Sequence, residues 1–275
     1  MSTRSAPTIL GLCFVFFLFG LAIFAPLLAA YCPYSVELER ALRPPCREHF
    51  FGTDRLGRDI FSRVLFGARV SLAVGVLSML LAIGIGTSIG AVAGYYRGIT
   101  EAALMRLTDI VLAFPTFFLI LLLVAFFEPG FWLVIAVIGG TGWPATARLV
   151  RAEFLRLREA DFVAAARLLS ASDARIILRH LLPNALGPVL VSATLSVPAA
   201  ILTEAGLGYF GLGVQPAVPT WGNMLREAQN YFRHAWWYAT FPGVFIFLTV
   251  FSFHLLADGL RQQLNPGRWR GRLLA

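Results

Sequence analysis

From Val70 to Tyr96 the chain runs for twenty-seven residues without one charged side chain, and five more apolar runs follow or precede it. Inside hydrocarbon each backbone N–H and C=O must be satisfied within its own segment, so runs able to cross about 30 Å dictate helices in a bilayer. The apolar share of 58% over 275 residues, against 14% charged, is more than a soluble domain of this length conceals. The expected fold class is therefore an all-α polytopic membrane protein with six transmembrane helices. They are read over Thr8–Ala30, Val70–Tyr96, Leu107–Phe127, Phe131–Ala147, Leu186–Leu212 and Trp236–Ala257. The first run follows Arg4, as a signal peptide would, but it exceeds a signal core in length and no A-x-A site closes it, so it is read as a span.

The net charge of +8 might suggest a nucleic-acid partner, but the basic residues sit in loops between spans, which is the signature of membrane topology. With six crossings both termini share one side. That side carries fourteen of the 23 Arg, so both termini and the loop between spans four and five are expected in the cytoplasm. Every basic residue is Arg. Without Lys there is no Walker A loop, and no bound nucleotide or other cofactor is assigned to the chain.

Gly86, Gly90 and Gly94 fall at i, i+4 and i+8, a small-residue face that lets another helix approach closely. The same stretch matches G-x-S-x-G, but an elbow nucleophile needs a strand and an activating His, so helix packing is the reading. Gly206 to Gly211 matches G-x-G-x-x-G; it follows a membrane helix rather than a strand and is read as a flexible end of span five. The four His have no metal-ligand spacing, and no catalytic or metal site is expected. Asp109, Glu204 and Asp258 lie within or beside spans, where a charge is costly unless it meets water or a partner. Asp109 and Asp258 are read as interhelical or capping groups. Glu204 is left open between that role and the lining of a path or gate. Cys32 and Cys46 flank a Pro-rich loop placed outside the cell, where a disulfide could persist; a bridge and free thiols both stay open.

The segment from Arg148 to Asn184 differs from all of this, with seven Arg and four acids among apolar residues. Phe154, Leu155, Phe162 and Leu168 at helical spacing predict an amphipathic helix that Ser170 ends. Ser170 with Asp173 fits a capping box for a second helix, with Ile176, Ile177, Leu178, Leu181 and Leu182 as its apolar face up to Pro183. Such a helix–turn–helix either docks in a groove on a partner protein or lies on lipid headgroups.

Several ordered motifs resemble the inner-membrane permease subunits of ABC importers for dipeptides, oligopeptides and nickel, in particular the second, C-type permease of the peptide transporters. FGTDRLGRDIFSRVLFGARVSL (Phe51–Leu72) is similar to the signature ahead of that permease core. YYRGITEAALMRLTDIVLAFP (Tyr95–Pro115), Glu204 to Gly213 with Trp221–Leu225, and Pro242-Gly243 with Asp258–Arg261 resemble its later segments. The resemblance implies a type I importer permease fold. It divides the chain into a head and first span (1–30), an external loop with an amphipathic segment (31–68), the permease core (69–258, coupling loop 148–184) and a basic cytoplasmic tail (259–275).

In this resemblance the charged insert is the EAA-like coupling loop seated on ATPase subunits, with Asp161, Ala164, Ala165, Ala166, Arg167, Ser170, Asp173, Arg175, His180 and Pro183 as its residues. Ala164 stands where the family has an acid and Ser170 where it has Gly. The implied function is half of a peptide translocation pathway in the bacterial inner membrane, with nickel or another small solute as the alternative cargo. The implied partners are a second homologous permease, two ABC ATPases that hold ATP and Mg, an external substrate-binding protein and membrane lipid. A secondary transporter or channel would need charged relay residues within its spans and, usually, internal repeats. Few such charges occur and no repeat is evident. A membrane-embedded enzyme would need a clustered acid, His or metal set, which the sequence lacks.

Overall fold

The computed structural model describes residues 6–215 and 217–264. Arg4, Pro216 and the tail from Asn265 onward, with Pro266, Arg268, Arg270 and Arg272, lie outside the described residues.

The described chain is helical. Helix α1 (Ala6–Ile23) stops at Phe24, and Pro26 opens a further turn, α2 (Ala25–Leu28), so the first apolar run is two pieces and not one. A loop with one short 3-10 helix at Leu38–Arg40 leads to α3 (Ile60–Tyr96). Asp59 caps α3 by accepting the Ser62 N–H at 2.8 Å. At 37 residues α3 is about 55 Å long, well beyond a bilayer core, and it absorbs the mixed segment around Arg63 and Arg69 as its first turns.

Helices α4 (Gly98–Ala113) and α5 (Thr116–Ala125) replace the straight third span expected over 107–127. They meet at an 81° bend. Pro115 forces it, because its ring disfavours the helical region for Phe114, which is extended. Arg97 precedes α4, and Glu101 and Arg106 lie within it. Helix α6 (Phe131–Arg158) continues straight past Trp143 and Pro144, where an end was expected.

Helices α7 (Asp161–Leu168) and α8 (Asp173–Arg175) form the charged insert. From α8 the chain passes through a π-helical stretch, Ile176–Leu181, into α9 (Leu182–Phe210). Asp173–Phe210 is thus one 38-residue helix. Pro183 does not end it, contrary to expectation. The wider i→i+5 turns just before Pro183, such as Leu182 N–H to Ile177 C=O, remove the need for the N–H that proline lacks. Pro188 and Pro198 likewise lie inside α9 without breaking it. Helices α10 (Trp221–Ala228) and α11 (Trp236–Leu264) complete the fold.

Among the described residues four helices are long and apolar enough to cross a membrane, or five if the bent α4–α5 pair is one span; α1 contributes a shorter apolar helix.

The bundle is built on α3 against α6. A methyl group added to Gly86 would come within 2.7 Å of the Thr146 Cβ, and one on Gly94 within 2.6 Å of the Phe154 Cβ. One on Gly90 would meet the Ala147 carbonyl and, at 2.7 Å, the Val150 Cβ. The glycine face thus allows the two backbones to touch, which is how helices associate where lipid is as apolar as any side chain. The G-x-G-x-x-G segment is helical rather than loose. Gly208 seats the Gly222 backbone of α10, and Gly211, at φ 82°, closes α9 in the left-handed conformation that glycine tolerates.

Candidate functional site

Two places in the molecule concentrate polar chemistry, one at each end of the bundle. At one end, the charged insert folds back on α3 and α6. Its first part is the last turns of α6, which break at Glu159–Ala160 before α7 begins. Val163 and Ala166, three residues apart on α7, are buried against Phe154, Leu157, Ile176 and Leu181. Helix α7 ends in a Schellman turn: Ser170 N–H bonds to Arg167 C=O at 2.9 Å and Ala171 N–H to Ala166 C=O at 3.1 Å. Ser170 occupies the left-handed position at φ 55°. The expected capping box is therefore absent. Ser170 closes the first helix, and Ser172 precedes the second without a side-chain cap.

Tyr95 holds this hairpin to α3. Its hydroxyl donates to Asp173 at 2.6 Å, the Arg158 guanidinium lies 5.8 Å from its ring centre, and Arg158 also donates to the Tyr95 carbonyl. Arg97, just past α3, pairs with Glu159 at 2.7 Å. Asp161, Ala164, Ala165, Arg167 and Arg175 are exposed, and His180 is half-buried. An acid at Ala164 would therefore face outward. Pro183 lines a cleft described below. Between these polar groups the hairpin leaves apolar side chains bare: Leu168 and Leu169 are 86% and 83% exposed, and Leu178 and Phe162 are exposed as well.

On the same side a cleft of 1020 Å³ runs between α6, α9 and α11, with Leu149, Val191 and Leu195 as its apolar wall and Glu153, Asn184 and Arg261 among its polar groups. A smaller cavity of 170 Å³ further along α9 has a mainly apolar lining, with the hydroxyls of Ser78, Thr116, Thr141, Ser196 and Thr203 among it. Thr141, Ser196 and Thr203 donate to carbonyls of their own helices, leaving oxygen lone pairs as the acceptors they offer. Glu204 lines neither. It is fully buried between α9, α3 and α10, where Ser71 donates to it at 3.2 Å and itself accepts the Trp221 N–H at 3.3 Å. Asp109 pairs with Arg148 at 2.7 Å, and Glu101 pairs with Arg151; both bonds tie α4 to α6. Asp258 is exposed on α11.

At the opposite end, the loop before α3 is pinned by buried ions that sequence reasoning missed. Asp54 accepts from Arg58, Arg58 reaches Glu227 of α10 at 2.6 Å, and Arg63 reaches the same Glu227 oxygen at 3.3 Å. The Tyr238 hydroxyl also donates to it, at 2.7 Å. Burial alone would lower the Arg58 guanidinium; Asp54 and Glu227 outweigh it and hold it above its ordinary value. Asp54 and Arg58 at i, i+4 were visible as a pair in the sequence, but nothing local pointed to Glu227. Nearby, Cys32 and Cys46 are exposed free thiols, so the structure contains no Cys32–Cys46 bridge. The Cys46 sulfur instead accepts the His49 N–H at 3.4 Å.

With this geometry in place, comparison with known proteins is informative. The family described as "Binding-protein-dependent transport system inner membrane component" matches residues 86–270. The dipeptide transport system permease protein DppC of Alkalihalophilus pseudofirmus is 41% identical, covering 94% of this chain and 85% of that protein. The oligopeptide transport system permease protein OppC of Bacillus subtilis is 39% identical, over 93% of this chain and 84% of that protein. The glutathione transport system permease protein GsiD of Pectobacterium atrosepticum is 40% identical, over 92% and 84%. An inward-facing form of the MetNI methionine ABC transporter matches 75% of this chain and 98% of its own at a TM-score of 0.62 and 18% identity, which establishes a shared fold. By sequence and by architecture, the chain belongs to the binding-protein-dependent transport system inner membrane component family.

Proposed function

We propose that this chain is one of two homologous permease subunits of a peptide importer in the bacterial inner membrane. Two ATPase subunits drive it and an external substrate-binding protein loads it. The named cargoes of its relatives, dipeptides, oligopeptides and glutathione, share a peptide backbone, which supports peptide over nickel. Six crossings are reached if α1 with α2 forms one and the bent α4–α5 pair another. The Arg distribution then supports cytoplasmic termini and a cytoplasmic hairpin.

The observation that carries this reading is the bare rim of Phe162, Leu168, Leu169 and Leu178 on a hairpin whose Val163, Ala166, Ile176 and Leu181 are buried against the bundle. Apolar surface presented this way on a stiff element fits a groove on a partner protein. The chain does no chemistry of its own; ATP and Mg are placed on the ATPases. Because α6 runs directly into the hairpin and the hairpin runs directly into α9, a push on the rim moves both spans as rigid levers. The 1020 Å³ cleft on α6, α9 and α11 is this subunit's share of the path, closed on its open side by the second permease.

The test is Leu168→Asp with Leu169→Asp in the co-expressed complex. The expected result is that the chain still inserts but no longer purifies with ATPase activity, and that uptake is lost. Retained ATPase co-purification and uptake would overturn the reading.

A further inference from the structure

The buried ion cluster at the loop end has an outer face with its own chemistry. A cleft of 310 Å³ opens there, lined by Arg55, Asn223, Arg226, Glu227, Asn230 and Tyr231. Its two walls come from distant parts of the chain, the turn before α3 and helix α10. Each wall contributes one residue to the ion cluster, Asp54 or Glu227, and the adjacent residue, Arg55 or Arg226, to the cleft. Asp54 and Glu227 point inward, while Arg55 and Arg226 are exposed.

The cluster itself balances, with Arg58 and Arg63 against Asp54 and Glu227. Arg55 and Arg226 have no carboxylate within ion-pairing distance among the described residues, so the mouth of the cleft carries two uncompensated positive charges. The backbone segments that carry them are tied together. The turn bearing Arg55 is closed by Gly57 N–H to Asp54 C=O at 3.0 Å and by Leu56 N–H to the Asp54 carboxylate at 2.8 Å. Arg58 and Arg63 then lock that turn to α10 through Glu227. Glu227, which also lines the cleft, is held by Arg58, Arg63 and Tyr238, and Arg63 is fully buried.

We infer that this cleft is a docking socket for an acidic side chain of the external binding protein, with Arg55 and Arg226 as its recognition residues. The inference rests on the proposed function, which supplies that partner and places this end of the bundle outside. Two uncompensated guanidinium groups lining one cleft with the side-chain amides of Asn223 and Asn230 suit a carboxylate. The socket is also wired inward. The opposite face of α10 bonds to the spans through Trp221 N–H to Ser71, Ser71 to Glu204, and Trp221 Nε1 to the Val64 carbonyl at 3.1 Å. A load on the socket therefore reaches α3 and α9 through Glu204 without any flexible link.

The test uses the complete four-subunit complex in vesicles, titrated with the binding protein that supports wild-type uptake, with ATPase stimulation as the readout. Reversing both charges, Arg55→Glu with Arg226→Glu, is expected to raise the half-stimulating concentration by about tenfold and to remove most of its dependence on salt. Arg55→Gln with Arg226→Gln removes both charges without reversing them and is expected to shift the half-stimulating concentration in the same direction by a smaller factor; it serves if the reversal variant does not assemble, and no shift in it overturns the socket. Unchanged half-stimulation in the reversal variant, or a wild-type response insensitive to salt, overturns the socket while leaving the importer reading intact. A shift that follows the anionic lipid content of the vesicles instead of the binding protein overturns it as well. A wild-type complex that no binding protein stimulates overturns the proposed function and the socket together.

Discussion

The hydroxyl of Tyr95, at the end of α3, donates to the carboxylate of Asp173 on the far arm of the hairpin at 2.6 Å. This bond joins the 37-residue α3 to the start of the 38-residue 173–210 helix, so the hairpin is braced by α3 as well as by its own two roots. Tyr95→Phe keeps the ring under Arg158 and removes only the bond, at a cost of about 1–2 kcal/mol for a hydrogen bond to a charged group. The expected outcome is faster amide exchange over residues 161–181 and slower uptake, with the spans still folded. Exchange mass spectrometry on the purified complex checks it.

Ser170 is held at φ 55°, a conformation that costs a residue with a Cβ about 1 kcal/mol relative to glycine. Ser170→Gly is therefore expected to stabilise the hairpin by roughly that amount and to leave ATPase association intact. A thermal melt of the detergent-solubilised complex measures it. No change, or a lower midpoint, would mean that the turn is not strained.

Gly90 sits where any side chain would strike α6. Gly90→Val is expected to cost at least about 2–3 kcal/mol through overpacking, because the obstructing atoms are backbone and cannot rotate away. The prediction is poor recovery of folded protein, whereas Gly84→Val, in open space on the same helix, should be recovered normally. Fluorescence-detected size exclusion of the two variants compares them directly.

Arg58 and Arg63 share two acids, Asp54 and Glu227, so Glu227→Ala leaves two buried guanidinium groups against a single carboxylate. The expected loss is about 3–5 kcal/mol, in the range found when one member of a buried pair is removed. Exposed pairs such as Arg97–Glu159 should cost about 1 kcal/mol or less when broken. Parallel thermal melts of Glu227→Ala and Glu159→Ala separate the two cases.

Cys32 and Cys46 are exposed thiols on the loop that the topology places outside. A membrane-impermeant maleimide applied to whole spheroplasts without reductant is expected to label both. Labelling only after reduction would indicate a bridge, and labelling only after permeabilisation would invert the orientation.

What could be read directly were features whose physics is local. The Gly86, Gly90 and Gly94 face was legible because a missing Cβ has a single use at that spacing in an uncharged run. The charged insert was legible as two helices around a turn. Its details were not. Ser170 has the composition of an N-cap, yet its role was set by the Schellman turn behind it, and Pro183 looked like a stop until the π-turns before it made its missing N–H harmless. Pro115 was visible as a proline inside a span, but its 81° consequence depends on where α5 packs.

By itself the sequence determined that the chain is helical, that it lies in a membrane, and where its one exposed polar hairpin falls, because hydrophobicity and backbone satisfaction act over a single segment. Only the tertiary structure decided which face of each span is buried. In a bilayer both faces can be apolar, so no amphipathic pattern records the choice. It also decided which charges meet. Arg58 and Glu227 lie 169 positions apart, and a pairing over that distance is set by packing and left no trace in local spacing.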